Sequence, residues 1–202
     1  MSLEQLLKSP TFKGKGFNPM PIARGGIPKE ADSRRDKRVI GTPMWQAFWE
    51  EQLHYIHHGI QTGGLYLPGR FYWYMNYKVM STIKGVTTPD YVDLHLDFAN
   101  AVEFVKSNGK NLIVPKGRRK GVSEEAHTII PDYGWRFFPG YKGGIASGKK
   151  DYVDDFLAKW KFGDSKLPPE LRLKKLKSND DEIIAGFKIK DESGDYVEKG
   201  TM

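Results

Sequence analysis

NLIVPKGRRKGVSEEA, residues 111–126, places a short apolar run directly before a basic, glycine-containing turn and a helix-forming stretch. The apolar run ends at Pro115 and is long enough for a buried parallel strand. After Gly121, Ser-Glu-Glu-Ala reads as a helix start, with Glu124 and Glu125 in the first turn complementing the helix dipole. Strand, loop and helix in this order are what a phosphate loop needs. The strand delivers the chain, successive backbone N–H groups face the anion, and the helix N-terminus adds its field.

A second stretch, GGIASGKK at 143–150, fits the pattern G-x-x-x-x-G-K-[ST] at every position except the last. Its context is poorer. Pro139-Gly140 interrupts any strand in front of it, and Lys150 stands where a hydroxyl should ligate the cation. The first stretch departs differently. Lys116 takes the place of the first glycine and Val122 that of the usual lysine, while Gly121 and Ser123 occupy the second glycine and hydroxyl positions. Arg118, Arg119 and Lys120 add three cations nearby. The 116–123 turn is therefore the preferred phosphate site, against the plainer reading of a basic surface turn.

Around this turn the chain alternates in type. Residues 8–41 are rich in Lys, Arg, Gly and Pro and read as an extended basic arm. A helix is expected from Thr42 and Pro43 to a stop at Gly59, with Trp45, Phe48, Trp49, Leu53 and Ile56 on one face. His54, His57 and His58 close it, where cationic side chains suit the C-terminal dipole. Without an acidic or cysteine partner at metal-ligand spacing, they are read in that way rather than as a metal site. GGLYLPGRFYWYMNYKVMST suggests one or two strands from its aromatic content. Asp93–Ser107 predicts a helix ended by Asn108-Gly109, with Leu94, Phe98, Ala101, Val102 and Val105 on one face. Pro131 should end or kink the helix that follows the turn. YKGGIAS is a weak strand, KKDYVDDFLAKWKF a helix, LPPELRLKKLK a polar connector, and DEIIAGFKIKDESGDYVEKG a hairpin turning at Ser193-Gly194. From residue 93 the alternation of strand and helix favours an α/β fold with parallel strands.

Composition narrows the partners. The chain has 202 residues, a net charge of +7 and no cysteine, which excludes disulfides and thiolate metal sites. A basic balance favours a polyanion, nucleic acid above all. No apolar run is long enough to span a bilayer.

Residues 116–123 also resemble the variant Walker A motif K-x-x-R-x-G-x-S of the large terminase subunit of tailed bacteriophages, matching at Lys116, Arg119, Gly121 and Ser123. Arg118 matches the arginine that other members place three residues before the second glycine. GRFYWYMNYKVM, TPDYVDLHLDFANAVE and SGKKDYVDDFLAKW followed by LPPEL are similar, in the same order, to family segments around that motif. The resemblance covers about residues 42–190. It implies a P-loop NTPase-like parallel sheet flanked by helices, incomplete at its C-terminus, with 1–41 as a flexible basic arm and 42–202 as the N-terminal portion of the ATPase domain. It implies ATP and Mg²⁺ as cofactors. Lys116, Gly117, Arg118, Arg119, Lys120, Gly121, Val122 and Ser123 would hold the nucleotide, Ser123 the metal, and Arg118 or Arg119 the γ-phosphate charge. Double-stranded DNA, a portal, a small terminase subunit and further copies in a ring would be the partners, in the host cytoplasm at the procapsid. The family's Walker B acids and nuclease carboxylates have no counterpart in these residues, so little hydrolysis is expected of them alone. The rival reading is a non-enzymatic basic nucleic-acid-binding module in which Trp73 or Tyr74 stacks bases.

Removing residues 1–38 is expected to leave thermal stability nearly unchanged, because few apolar groups there can join a core. It should lower the salt slope of any DNA binding. Thermal melts and a salt titration of the truncated chain check both.

Overall fold

The computed structural model describes residues 41–62, 65–78, 80–82, 85–87, 89, 91–117, 121–138, 140–178, 183–190 and 196–200. The basic arm and the Ser193-Gly194 turn lie outside the described residues. Helix α1, Pro43–His58, begins as its sequence dictates: the Thr42 hydroxyl accepts from the Trp45 amide at 3.3 Å, Pro43 opens the first turn, and Gly59 at φ 77° ends it. Its inward face differs from the expected one. Trp49, Gln52 and Ile56 are buried, whereas Leu53 lies at the stripe's edge and is exposed. Gln52 is drawn inside because its carbonyl oxygen accepts from the buried Tyr72 and Tyr77 hydroxyls, at 2.6 and 2.8 Å.

A short hairpin follows, β1 (Ile60–Thr62) paired with β2 (Leu65–Leu67). The aromatic stretch after it is then a helix, α2 (Gly69–Tyr77), and not a strand. Pro68 precedes its first turn, and Phe71, Tyr72, Trp73, Tyr74, Met75 and Tyr77 are all buried. A segment apolar on every side carries no periodicity that separates a buried helix from a buried strand. The start of α2 sits against the last turn of α1. A Cβ on Gly69 would come within 2.0 Å of the Ile56 carbonyl oxygen, so only glycine permits this approach.

Strands β3 (Met80–Thr82) and β4 (Gly85–Thr87) form a second hairpin, and helix α3 runs over Asp93–Ser107 as predicted. Its buried face is carried by Leu96, Phe98, Ala99 and Val102, while Leu94 is exposed. Beyond the phosphate-loop candidate lie α4 (Val122–His127), a π-helical turn (Thr128–Asp132) and α5 (Tyr133–Phe137). Pro131 falls inside the π turn, so the missing N–H is absorbed by a bulge and the helix resumes after it. The stretch 141–147 is not a strand. Helix α6 (Lys150–Lys166) and a 3₁₀ turn (Pro169–Leu171) lead to the last sheet, β5 (Lys175–Ser178), β6 (Ile183–Lys190) and β7 (Tyr196–Gly200). The supposed connector thus supplies a strand and two buried leucines, Leu167 and Leu171.

The expected parallel α/β sheet is overturned. Every strand pair among the described residues is antiparallel, in two separate hairpins and one three-stranded meander. Residues 111–117 are not a strand, and Ile113 is 89% exposed. The core is instead α2 packed by α1, α3 and the helical run 122–137.

A buried polar network ties these parts together. The Asp132 carboxylate accepts from the indole N–H groups of Trp73 at 3.0 Å and Trp160 at 2.5 Å, and from Arg136 Nε at 2.9 Å. Arg136 reaches on to Asp164 at 2.7 Å and to the Leu171 carbonyl at 3.1 Å. Lys175 caps Asp164 at 2.6 Å. Asp132→Ala would leave the Trp73 and Trp160 indole donors and Arg136 Nε without an acceptor in the interior, with Arg136 still held by Asp164, and should cost about 3 kcal/mol, measurable by urea denaturation.

Candidate phosphate-binding site

The structure keeps the second half of the expected loop and removes the strand before it. Lys116 and Gly117 are exposed and belong to no helix or strand, while Arg118, Arg119 and Lys120 lie outside the described residues. Gly121 stands at φ 74°, ψ −16°, the left-handed conformation that turns the chain into α4. Its carbonyl accepts from the amides of Glu124 and Glu125 at 2.9 and 3.1 Å. Val122 is buried and anchors the helix start, and Ser123 is half-buried in the first turn. A helix start leaves its first amides without an intrahelical acceptor. Gly121 and Ser123 thus stand at the start of the helix, whereas the delivery of the loop from a buried sheet is missing.

What lies under the turn was not legible from the sequence. A Cβ on Gly121 would meet His95 Nε2 at 2.9 Å, so α3 braces the turn from below. His95 is buried and packs edge-on against Tyr74, with ring centroids 5.6 Å apart. Its Nε2 lies 4.0 Å from Glu125 Oε2. No spacing rule connects His95 to Gly121, because they belong to different elements.

The two glutamates of the first turn have separate environments. Glu124 is gripped by Lys159 at 2.9 Å and Lys78 at 3.6 Å, joining the turn to α6 and to the end of α2. Lys78 is buried, and burial pulls its ammonium below the ordinary lysine range, an effect that Glu124 and Asp132 oppose. Glu125 is fully buried, and neither carboxyl oxygen has a hydrogen-bond partner among the described residues. Burial pushes its pKa up to about 9. It is therefore neutral at pH 7 and does not complement the helix dipole as the sequence suggested. His127 is driven the other way, down to about 4, by burial and then by Lys78.

The alternative GGIASGKK stretch is loop up to the start of α6, with Gly144, Gly148, Lys149 and Lys150 exposed. Trp73 and Tyr74 are about 1% exposed, so they are core and not base-stacking groups. A cavity of about 10 Å³ bordered by Trp73, Lys78, Asp132 and Asp164 has room for at most one water. Among the described residues no group of three or more His, Asp or Glu gathers as a metal site, and no helix is long and apolar enough to cross a membrane.

Compared with known proteins, the chain matches no family model, no curated protein and no solved structure.

The buried acid leads to a test. In the unfolded chain Glu125 ionises near 4.5, as an ordinary glutamate does, whereas in the fold it holds its proton to about 9. Its neutral form therefore supports the fold fully below 4.5, and that support is lost as pH rises toward 9. His127 is neutral in the fold across this range, and its residual protonation in the unfolded chain near pH 7 acts in the opposite sense, raising stability as pH rises. Glu125→Gln should flatten the decline of unfolding free energy between pH 7 and 9, read from denaturant melts at several pH values.

Proposed function

We propose that residues 116–123 bind the phosphates of ATP and that the chain is part of a terminase-type DNA-packaging ATPase. The observation that carries this reading is the left-handed Gly121, which closes K-x-x-R-x-G-x-S and opens onto a helix with Ser123 in its first turn. In this reading Lys116 contacts β- and γ-phosphate oxygens and the backbone from Arg119 to Ser123 surrounds the β-phosphate. Ser123 contributes a hydroxyl to Mg²⁺, and Arg118 or Arg119 offsets charge on the γ-phosphate. When bound, Mg²⁺ would supply the charge neutralisation that phosphoryl transfer requires. Double-stranded DNA, portal, small subunit and ring partners, and a place at the procapsid in the host cytoplasm, follow from the same resemblance and stand or fall with it.

The exposed 111–117 segment favours a second reading. A basic turn that no described strand holds in place could equally contact a nucleic-acid backbone without nucleotide. The two readings separate by ligand: the first requires saturable ATP–Mg²⁺ binding, the second salt-sensitive DNA binding indifferent to ATP.

Lys116→Ala should weaken ATP–Mg²⁺ binding by roughly 1.5–3 kcal/mol, the value of a charge-assisted hydrogen bond, and Lys149→Ala should leave it nearly unchanged. Calorimetric titration of both variants tests the choice of loop. Phosphate release by the chain alone should stay at background, because Glu124 is held by two lysines and Glu125 is buried and neutral. Robust turnover that vanishes in Lys116→Ala would place a working catalytic acid in these residues.

A further inference from the structure

The end of α1 presents two imidazoles on one exposed face. His54 and His58 are one turn apart, both are exposed, and their ring centroids lie 4.8 Å apart. Two imidazoles bound to one tetrahedral ion at about 2.0–2.1 Å place their centroids about 5 Å apart. His57 is not part of this pair. Its ring sits edge-on against Phe137 at 5.6 Å, and its centroid is 6.4 Å from that of His58.

The helix end that carries the pair is held from three sides. The Gly59 amide donates to the Tyr55 carbonyl at 2.9 Å, and the Tyr66 hydroxyl donates to the His58 carbonyl at 2.8 Å. The strand that follows α1 is paired with β2 from Ile60 onward. Fraying of the last turn, which would separate the rings, is thereby opposed. A cation at this end also meets the negative pole of the helix dipole. Glu50 lies one further turn back on the same exposed stripe.

We propose that His54 and His58 chelate a divalent transition-metal ion, with water completing its coordination. Imidazole donors suit Cu²⁺, Ni²⁺ and Zn²⁺, and Cu²⁺ binds first in the general affinity order; Mg²⁺ and Ca²⁺ prefer oxygen ligands. The reading of these histidines as dipole partners alone, made from their position at a helix end, is thereby extended. No third side-chain ligand is needed, because two imidazoles one turn apart already form a chelate. The site is separate from the 116–123 turn and does not depend on its function.

The composition makes the test clean. The chain has five histidines and no cysteine, and His95 and His127 are buried. The untagged full chain is titrated with CuCl₂, NiCl₂ and ZnCl₂, and with MgCl₂ as the hard-ion control, by calorimetry and by thermal melting. Wild type and His57→Ala are expected to bind one Cu²⁺ each and to melt at higher temperature with it. His54→Ala and His58→Ala should each lose on the order of 100-fold in affinity, the gain from holding two ligands on one scaffold, and should show no metal-dependent rise in melting temperature. Unchanged affinity in either variant, or a loss produced by His57→Ala instead, would overturn the pairing. Equal melting temperatures of all variants without metal show that folding is not the cause.

Discussion

The Asp132 carboxylate is the point at which the helical elements meet. It receives Trp73 from α2, Trp160 from α6 and Arg136 from its own helical run. Three donors on one buried anion replace the water it lost, and Arg136 balances its charge. Through Arg136 the network continues to Asp164, the Leu171 carbonyl and, by way of Asp164, Lys175. Burial alone would raise the Asp164 carboxyl, but Arg136 and Lys175 outweigh it and hold it below the usual range. A second anchor lies beside the first. Arg70 pairs with Glu103 at 2.5 Å, donates to the Ile129 carbonyl at 2.6 Å and covers the Tyr133 ring, whose hydroxyl reaches the Ile56 carbonyl at 2.8 Å.

Both anchors depend on the π turn at Thr128–Asp132. An uninterrupted α-helix over 122–137 would carry Asp132 and Tyr133 at a different angle from the residues before Pro131. The bulge absorbs the missing proline donor and resets that angle. Because the same helical run begins at Gly121, the position of the candidate phosphate turn is set by this core. It is not set by a sheet. Val122 buries into the core, His95 braces the glycine, and Glu124 is clamped by Lys78 and Lys159.

An α/β expectation built on strand order therefore misjudged the source of rigidity. A strand earns its place in a parallel sheet only through neighbours that bond it on both sides. Leu112, Ile113 and Val114 have the composition for such a place, yet no described strand lies beside them, and Ile113 stays in solvent. The aromatic stretch 69–77 failed in the opposite sense, since burial on every side removes the alternation that would distinguish its two possible forms.

What the sequence determined by itself was local. Thr42, Pro43 and Gly59 bound α1, Asn108-Gly109 ends α3, and Gly121 turns the chain into α4, each through the stereochemistry of one or two residues. The basic balance and the absence of cysteine are likewise properties of composition alone. Tertiary structure decided the rest, because it depends on pairs that are distant along the chain. It chose helix over strand for the aromatic core, put Gln52 inside and Leu53 outside, and left the apolar run before the turn unpaired. The meeting of His54 and His58 already follows from their spacing of four on a helix, but tertiary structure pinned the end of α1 through the Tyr66 hydroxyl and made Glu125 a neutral buried acid. Solvation and partner geometry, which no linear spacing specifies, settle each of these.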